Sequence, residues 1–246
     1  LAKAQTDFFS NLKRSFFMKA IFKKVGQAAL VLGVATLVAC GGGSNAPVLT
    51  ISGVAATGLA IEGGSVAVQC VSGTGTATTL ANGTYSVSVT NGQGPCLVTV
   101  TKGALVLRSI TSKVTSGTAI ANVTQFSDAI VTALVTAKGA ASPAALVTNA
   151  ALVPSDANLT AASTAVIVKI NEALVALNQP TLPLNTNLLG QSGFVAATGT
   201  TAGDALDKAL DALVTNDRLA PTLTNSINSS VVAVVPKPPT GATGAN

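Results

Sequence analysis

The sequence predicts an α+β protein: a seven-stranded β-sandwich over residues 48–123, followed by a separate α-helical domain over 124–230. Three observations predict it. Through the first stretch apolar and polar residues alternate in short runs, the period-2 signature of half-buried strands. After Val123 the pattern changes to Ala- and Leu-rich segments spaced for one face of a helix. Cys70 and Cys96, both on the apolar faces of their runs, remain as an even pair once Cys40 is set aside.

The residues ahead of the strands read as a targeting segment. Met18 is the only methionine, and residues 1–17 are expected to be an upstream extension. Over 18–39, Lys19, Lys23 and Lys24 are followed by an apolar stretch and then by small residues before Cys40. This is the layout of an export signal. The uncharged stretch is shorter than the ~20 residues that a membrane-spanning helix needs.

Leu37-Val38-Ala39-Cys40 resembles the lipobox of bacterial lipoproteins at every position. The resemblance implies a diacylglyceryl group on the Cys40 thiol, cleavage just before it, and anchoring by acyl chains worth ~0.8 kcal/mol per buried methylene. Gly41, standing where an aspartate would retain the protein, implies the outer membrane of a Gram-negative envelope by the family's rule in enteric bacteria. Residues 40–47, with Gly41-Gly42-Gly43-Ser44-Asn45, are expected to be a flexible tether.

Charge follows this division. The formal net charge is +5, yet Lys3, Lys13, Arg14, Lys19, Lys23 and Lys24 all precede Cys40 against the single acid Asp7, and cations and acids balance from Cys40 onward. The basic excess therefore gives no reason to expect a nucleic-acid partner. Five phenylalanines also precede Cys40, which leaves Tyr85, Phe126 and Phe194 as the rings of the remainder. That is too few for a stacking platform. Histidine is absent, which removes the commonest general base and metal ligand.

The strands are expected at 48–53, 65–71, 76–80, 84–90, 96–101, 105–110 and 118–123, with Asn82-Gly83 as a type I′ hairpin turn. A Cys70–Cys96 bridge would contribute roughly 3–4 kcal/mol by chain entropy and fits an exported protein. Ile51-Ser52-Gly53-Val54-Ala55, Gly64-Ser65-Val66 and the run from Thr79 through Asn82-Gly83-Thr84-Tyr85 resemble the carboxypeptidase regulatory-like domain. The resemblance implies a prealbumin-type, Ig-like sandwich that serves as an accessory or binding module and carries no catalytic residues. Leu80 stands where that family has an aspartate.

Helices are expected at 127–138, at 142–149 with Ser142-Pro143 as cap and first residue, at 159–178, and at 202–216, with a last turn over 221–229. A long connection rich in Asn, Gly and Thr separates the third from the fourth. Asp204, Asp207 and Asp211 share one helical face. The expected reading is a solvated face with Asp204 favouring the helix dipole; a cation site or partner face is the alternative. Asp128 and Glu172 are expected to be lone solvated acids. Residues 231–235 could pair as an edge strand, and 231–246 is expected to be a disordered tail.

No phosphate-binding glycine loop or nucleophile elbow occurs in the sequence, and its one Ser-x-x-Lys spacing, Ser10 to Lys13, falls in the expected upstream extension. The expectation is a non-enzymatic cell-envelope lipoprotein with no cofactor and no metal, a binding or scaffolding module with a protein or glycan partner. The alternative is a small-ligand or glycan-binding protein with its site between sandwich and helices, near Tyr85, Phe126 or Phe194.

Overall fold

The computed structural model describes residues 46–215 and 221–239. Leu37, Val38, Ala39 and Cys40, the signal, most of the tether and the end of the expected tail lie outside them.

The strands are β1 (Val48–Val54), β2 (Ser65–Ser72), β3 (Thr74–Thr78), β4 (Thr84–Thr90), β5 (Gln93–Lys102), β6 (Leu105–Ile110) and β7 (Gly117–Ile120). They form a three-stranded sheet of order β4-β1-β7 and a four-stranded sheet of order β3-β2-β5-β6. β1 pairs antiparallel with β4 and parallel with β7, and every pairing in the larger sheet is antiparallel. β2 and β4 bury alternate residues. Val66 and Val68 from one sheet thereby meet Leu49, Ile51, Val87 and Val89 from the other in a single core. β5 departs from alternation, because Leu97 is buried as well as Cys96 and Val98. Leu97 points the opposite way, into a second core made chiefly by helices.

Those helices are α1 (Gln125–Lys138), α2 (Ala145–Thr148), α3 (Asp156–Ala176), α4 (Ala205–Thr215) and α5 (Pro221–Val234). α1 starts at a reciprocal cap: Thr124 Oγ1 accepts from Ser127 N, and Ser127 Oγ accepts from Thr124 N. Ser127 Oγ also donates to Arg108 O at 2.8 Å, which ties the cap to β6. α3 begins at the equivalent pair Ser155 and Asn158. It is long and apolar enough to cross a bilayer by length and composition, yet its stripe of Val166, Ile167, Ile170 and Leu174 is buried in the helical core.

Several expectations change. The helices do not form a body apart from the strands: Leu97 and Ile110 of the larger sheet belong to the helical core, and the described residues fall in one compact unit, Ser44–Asn246. Leu97 reads as one apolar residue too many in an alternating strand, and its second-face burial is the physical reason.

The turn between β2 and β3 is made at Gly73, so β3 starts before the expected 76. Asn82-Gly83 is not a type I′ hairpin. Only Gly83 takes positive φ, Asn82 Oδ1 instead accepts from Thr84 N, and the segment joins strands of different sheets. α2 starts later than expected, behind Ala144, which makes no side-chain cap; the expected cap Ser142 does accept at Oγ from Ala145 N at 3.4 Å. Residues 231–234 continue α5 rather than forming an edge strand or disordered tail. Ile227, Val231 and Val235, four apart, bury one face.

Candidate functional site

Residues 181–204, between α3 and α4, contain no strand or helix, so their backbone groups need other partners. Asparagines supply many of them. Asn171 of α3 donates from Nδ2 to Leu182 O and accepts at Oδ1 from Leu182 N, both at 2.8 Å. Asn122 donates its N–H to Leu189 O at 2.7 Å and its Nδ2 to Gln191 O at 2.9 Å, while its Oδ1 accepts from Val54 N. Asn187 Oδ1 accepts from Leu189 N and Gly190 N at 3.2 and 2.9 Å. The segment 182–191 is thereby a fixed wall.

The N-terminal half of α3 stands opposite. Between them lies a cleft of about 320 Å3, closed on the strand side by residues 110–112 and Ile120. Ile110, Leu159, Ile167 and Leu189 give it an aliphatic floor; Thr160, Ser163, Thr164 and Asn187 put hydroxyls and an amide along its sides. These hydroxyls follow from helical spacing, since positions 160, 163, 164 and 167 share a face. Thr136, Thr148 and Ser229 donate back to the carbonyl four residues earlier; no such bond is made by Thr160, Ser163 or Thr164 among the described residues. Among the described residues the lining holds one carboxylate, Asp156, whose Oδ1 accepts from Lys113 N at 3.0 Å.

Cys70 and Cys96 are brought together as expected. They are partners in the β2–β5 register, and their sulfurs lie at disulfide distance, 2.05 Å. Tyr85, Phe126 and Phe194 are all buried, Tyr85 in the core shared by the sheets and the other two among the helices. Tyr85 OH donates to Ala121 O, and burial pushes its phenol well above the usual range. Tyr85 and Phe194 edge a shallower depression of about 250 Å3; none of the described residues lining the larger cleft is aromatic.

The acidic face of α4 is not the solvated surface expected of it. Asp204 is the cap: its Oδ1 accepts from Leu206 N and Asp207 N, and its Oδ2 from Val195 N and Gln191 Nε2. Asp207 is fully buried, its Oδ2 accepting from Ala197 N while its Oδ1 finds no partner among the described residues. Burial, with smaller contributions from Asp211 and Asp204, raises its pKa to about 6 against the opposing Ala197 N–H. Asp211 is exposed, with its carboxylate against Gly58. The alternative of a cation site gains nothing: among the described residues no group of three or more His, Cys, Asp or Glu could hold a metal.

Asp128 is not alone either. Arg108 Nη1 lies 3.1 Å away, and burial outweighs that cation to raise the carboxyl's pKa. Glu172 pairs with Lys169.

Comparison with protein families, curated proteins and solved structures finds no match for this chain.

The asparagine ties were missed at the sequence level. Asn171 carried a signal, as a polar residue set among Ile170, Leu174 and Ile167 on an otherwise apolar stripe. Asn122 and Asn187 carried none, because their partners lie far away in sequence or in an irregular loop.

Proposed function

We propose that this chain is a non-enzymatic cell-envelope lipoprotein, held at the outer membrane of a Gram-negative bacterium by an acylated Cys40. Its strand region is read as a regulatory-like sandwich acting as a binding or scaffolding module. The motif Leu37-Val38-Ala39-Cys40 supports the anchor. The pairing of Cys70 with Cys96 across β2 and β5 suits an oxidising compartment. A second reading, a small-ligand or glycan-binding protein, is favoured by one observation: a preformed cleft of about 320 Å3 where strands and helices meet, the kind of concavity that ligand sites use.

Fractionation tests the anchor. Wild type is expected in the membrane fraction and labelled by a fatty-acid probe, with Cys40→Ala soluble and unlabelled. A wild-type protein that is equally soluble and unlabelled would sink the proposal.

A further inference from the structure

We propose that the cleft between α3 and the 182–191 wall takes a short aliphatic peptide segment without acidic groups, in extended form. This rests on the small-ligand reading of the same cleft. Four features of the lining favour such a segment.

The first is the floor. Ile120 and Leu184 expose branched aliphatic surface along the cleft, above the nearly covered Ile110, Leu159, Ile167 and Leu189, which suits a Val- or Leu-sized side chain. A pyranose packs best on the flat face of a ring, and none of the described lining residues supplies one.

The second is the spacing of donors. Thr160 and Thr164 stand four residues apart on α3, ~6 Å along the axis at ~1.5 Å per residue. Alternate carbonyls of a β-extended peptide repeat at ~6.4–6.8 Å. The two hydroxyls can therefore each meet a carbonyl on the same edge of the segment. Asn187 spends its Oδ1 on Leu189 N and Gly190 N. This orients its Nδ2, which has no partner among the described residues, as a further donor from the facing wall.

The third is charge. Among the described lining residues there is no Lys or Arg and one carboxylate, Asp156, so an anionic ligand would find no counter-ion there and a like charge at one end. The fourth is size. At about 320 Å3 the cleft lies at the small end of ligand pockets, about 300–1,000 Å3. That is room for a short segment, and the fixed wall removes the cost of ordering a loop on binding.

The test titrates the full chain with N-acetyl-Ala-Leu-Ala-amide and, separately, with maltose, following both by calorimetry and by NMR shifts of Ile167 and Leu189. Thr160→Val/Thr164→Val is run beside the wild type. Both positions are exposed and valine keeps the shape, so the fold is retained while the hydroxyls are lost.

The expected result is saturable binding of the blocked peptide that weakens about two- to tenfold per hydroxyl removed, with no maltose binding. Peptide binding unchanged in the double variant, or without shifts at Ile167 and Leu189, overturns the proposal. Maltose binding that the double variant weakens, with no peptide binding, overturns the peptide assignment and leaves the small-ligand reading standing. Binding of neither probe at millimolar concentration overturns both.

Discussion

The strand region and the helical region draw on the same small side chains and are held in different ways. In the strands the backbone itself comes close. A Cβ added at Gly53 would lie 2.0 Å from Ala121 O, the same carbonyl that accepts from the Tyr85 hydroxyl. β1 can lie beside β7 and the residues after it only because that side chain is missing. The helical core relies instead on aliphatic stripes and two rings, with its long loop pinned by Asn122, Asn171, Asn187, Asp204 and Asp207. The first arrangement has no slack for a single methyl. The second spreads its stability over many contacts, each of which can relax.

The largest effect should therefore come from one carbon in the strands. Gly53→Ala is expected to cost more than ~3 kcal/mol, because the clash is with backbone and cannot relax by rotamer change. Ile167→Val, at a fully packed helical position, is expected to cost only about 0.5–1.5 kcal/mol. Urea denaturation of both variants measures the contrast, and a Gly53→Ala penalty no larger than that of Ile167→Val would break it.

Next comes the cysteine pair. Cys70→Ala/Cys96→Ala is expected to cost about 2–4 kcal/mol, with amide exchange rising most in β2 and β5. An equal rise along α3 would mean that the two regions open together and that the distinction has no energetic content.

The sequence was most legible where a residue's role follows from its immediate neighbours. Period-2 alternation located β2 and β4, and helical spacing located α1 and α3, within a few residues at their ends. Cys70 and Cys96 could be paired because both lay on apolar faces. What failed depended on distant partners. Asn82-Gly83 looked like a hairpin because nothing local says that β3 and β4 belong to different sheets. Residues 231–234 looked like a strand because five apolar residues in a row carry no period; burial on the helical core selects the helix. The cleft was not visible at all, since its walls come from 110–112, α3 and 184–190 and its rigidity from three asparagines. Asp207 was misjudged for a related reason: its helical face was correct, and the loop that covers it could not be read from periodicity.

Asp207 supplies the smallest effect and the one most specific to the helical region. An acid whose pKa rises on folding from 3.8 to about 6 keeps its proton in the native state after the unfolded chain has released its own. The unfolded state then binds fewer protons across that interval, so stability falls as pH climbs from 3.8 to about 6 and levels off above it. The loss is on the order of 1–2 kcal/mol, once screening on a face that also carries the exposed Asp211 is counted. Asp207→Asn keeps an acceptor for Ala197 N and removes the charge. It is expected to flatten much of the slope and to be more stable than wild type at neutral pH, with Asp128 and Asp211, both raised by burial, leaving a remainder. Thermal unfolding from pH 4 to pH 7 reads this directly. A wild-type slope retained in Asp207→Asn would place the titrating group elsewhere. A slope lost together with exchange protection at Ala197 N would mean that the carboxylate's hydrogen bond, not its charge, holds the loop.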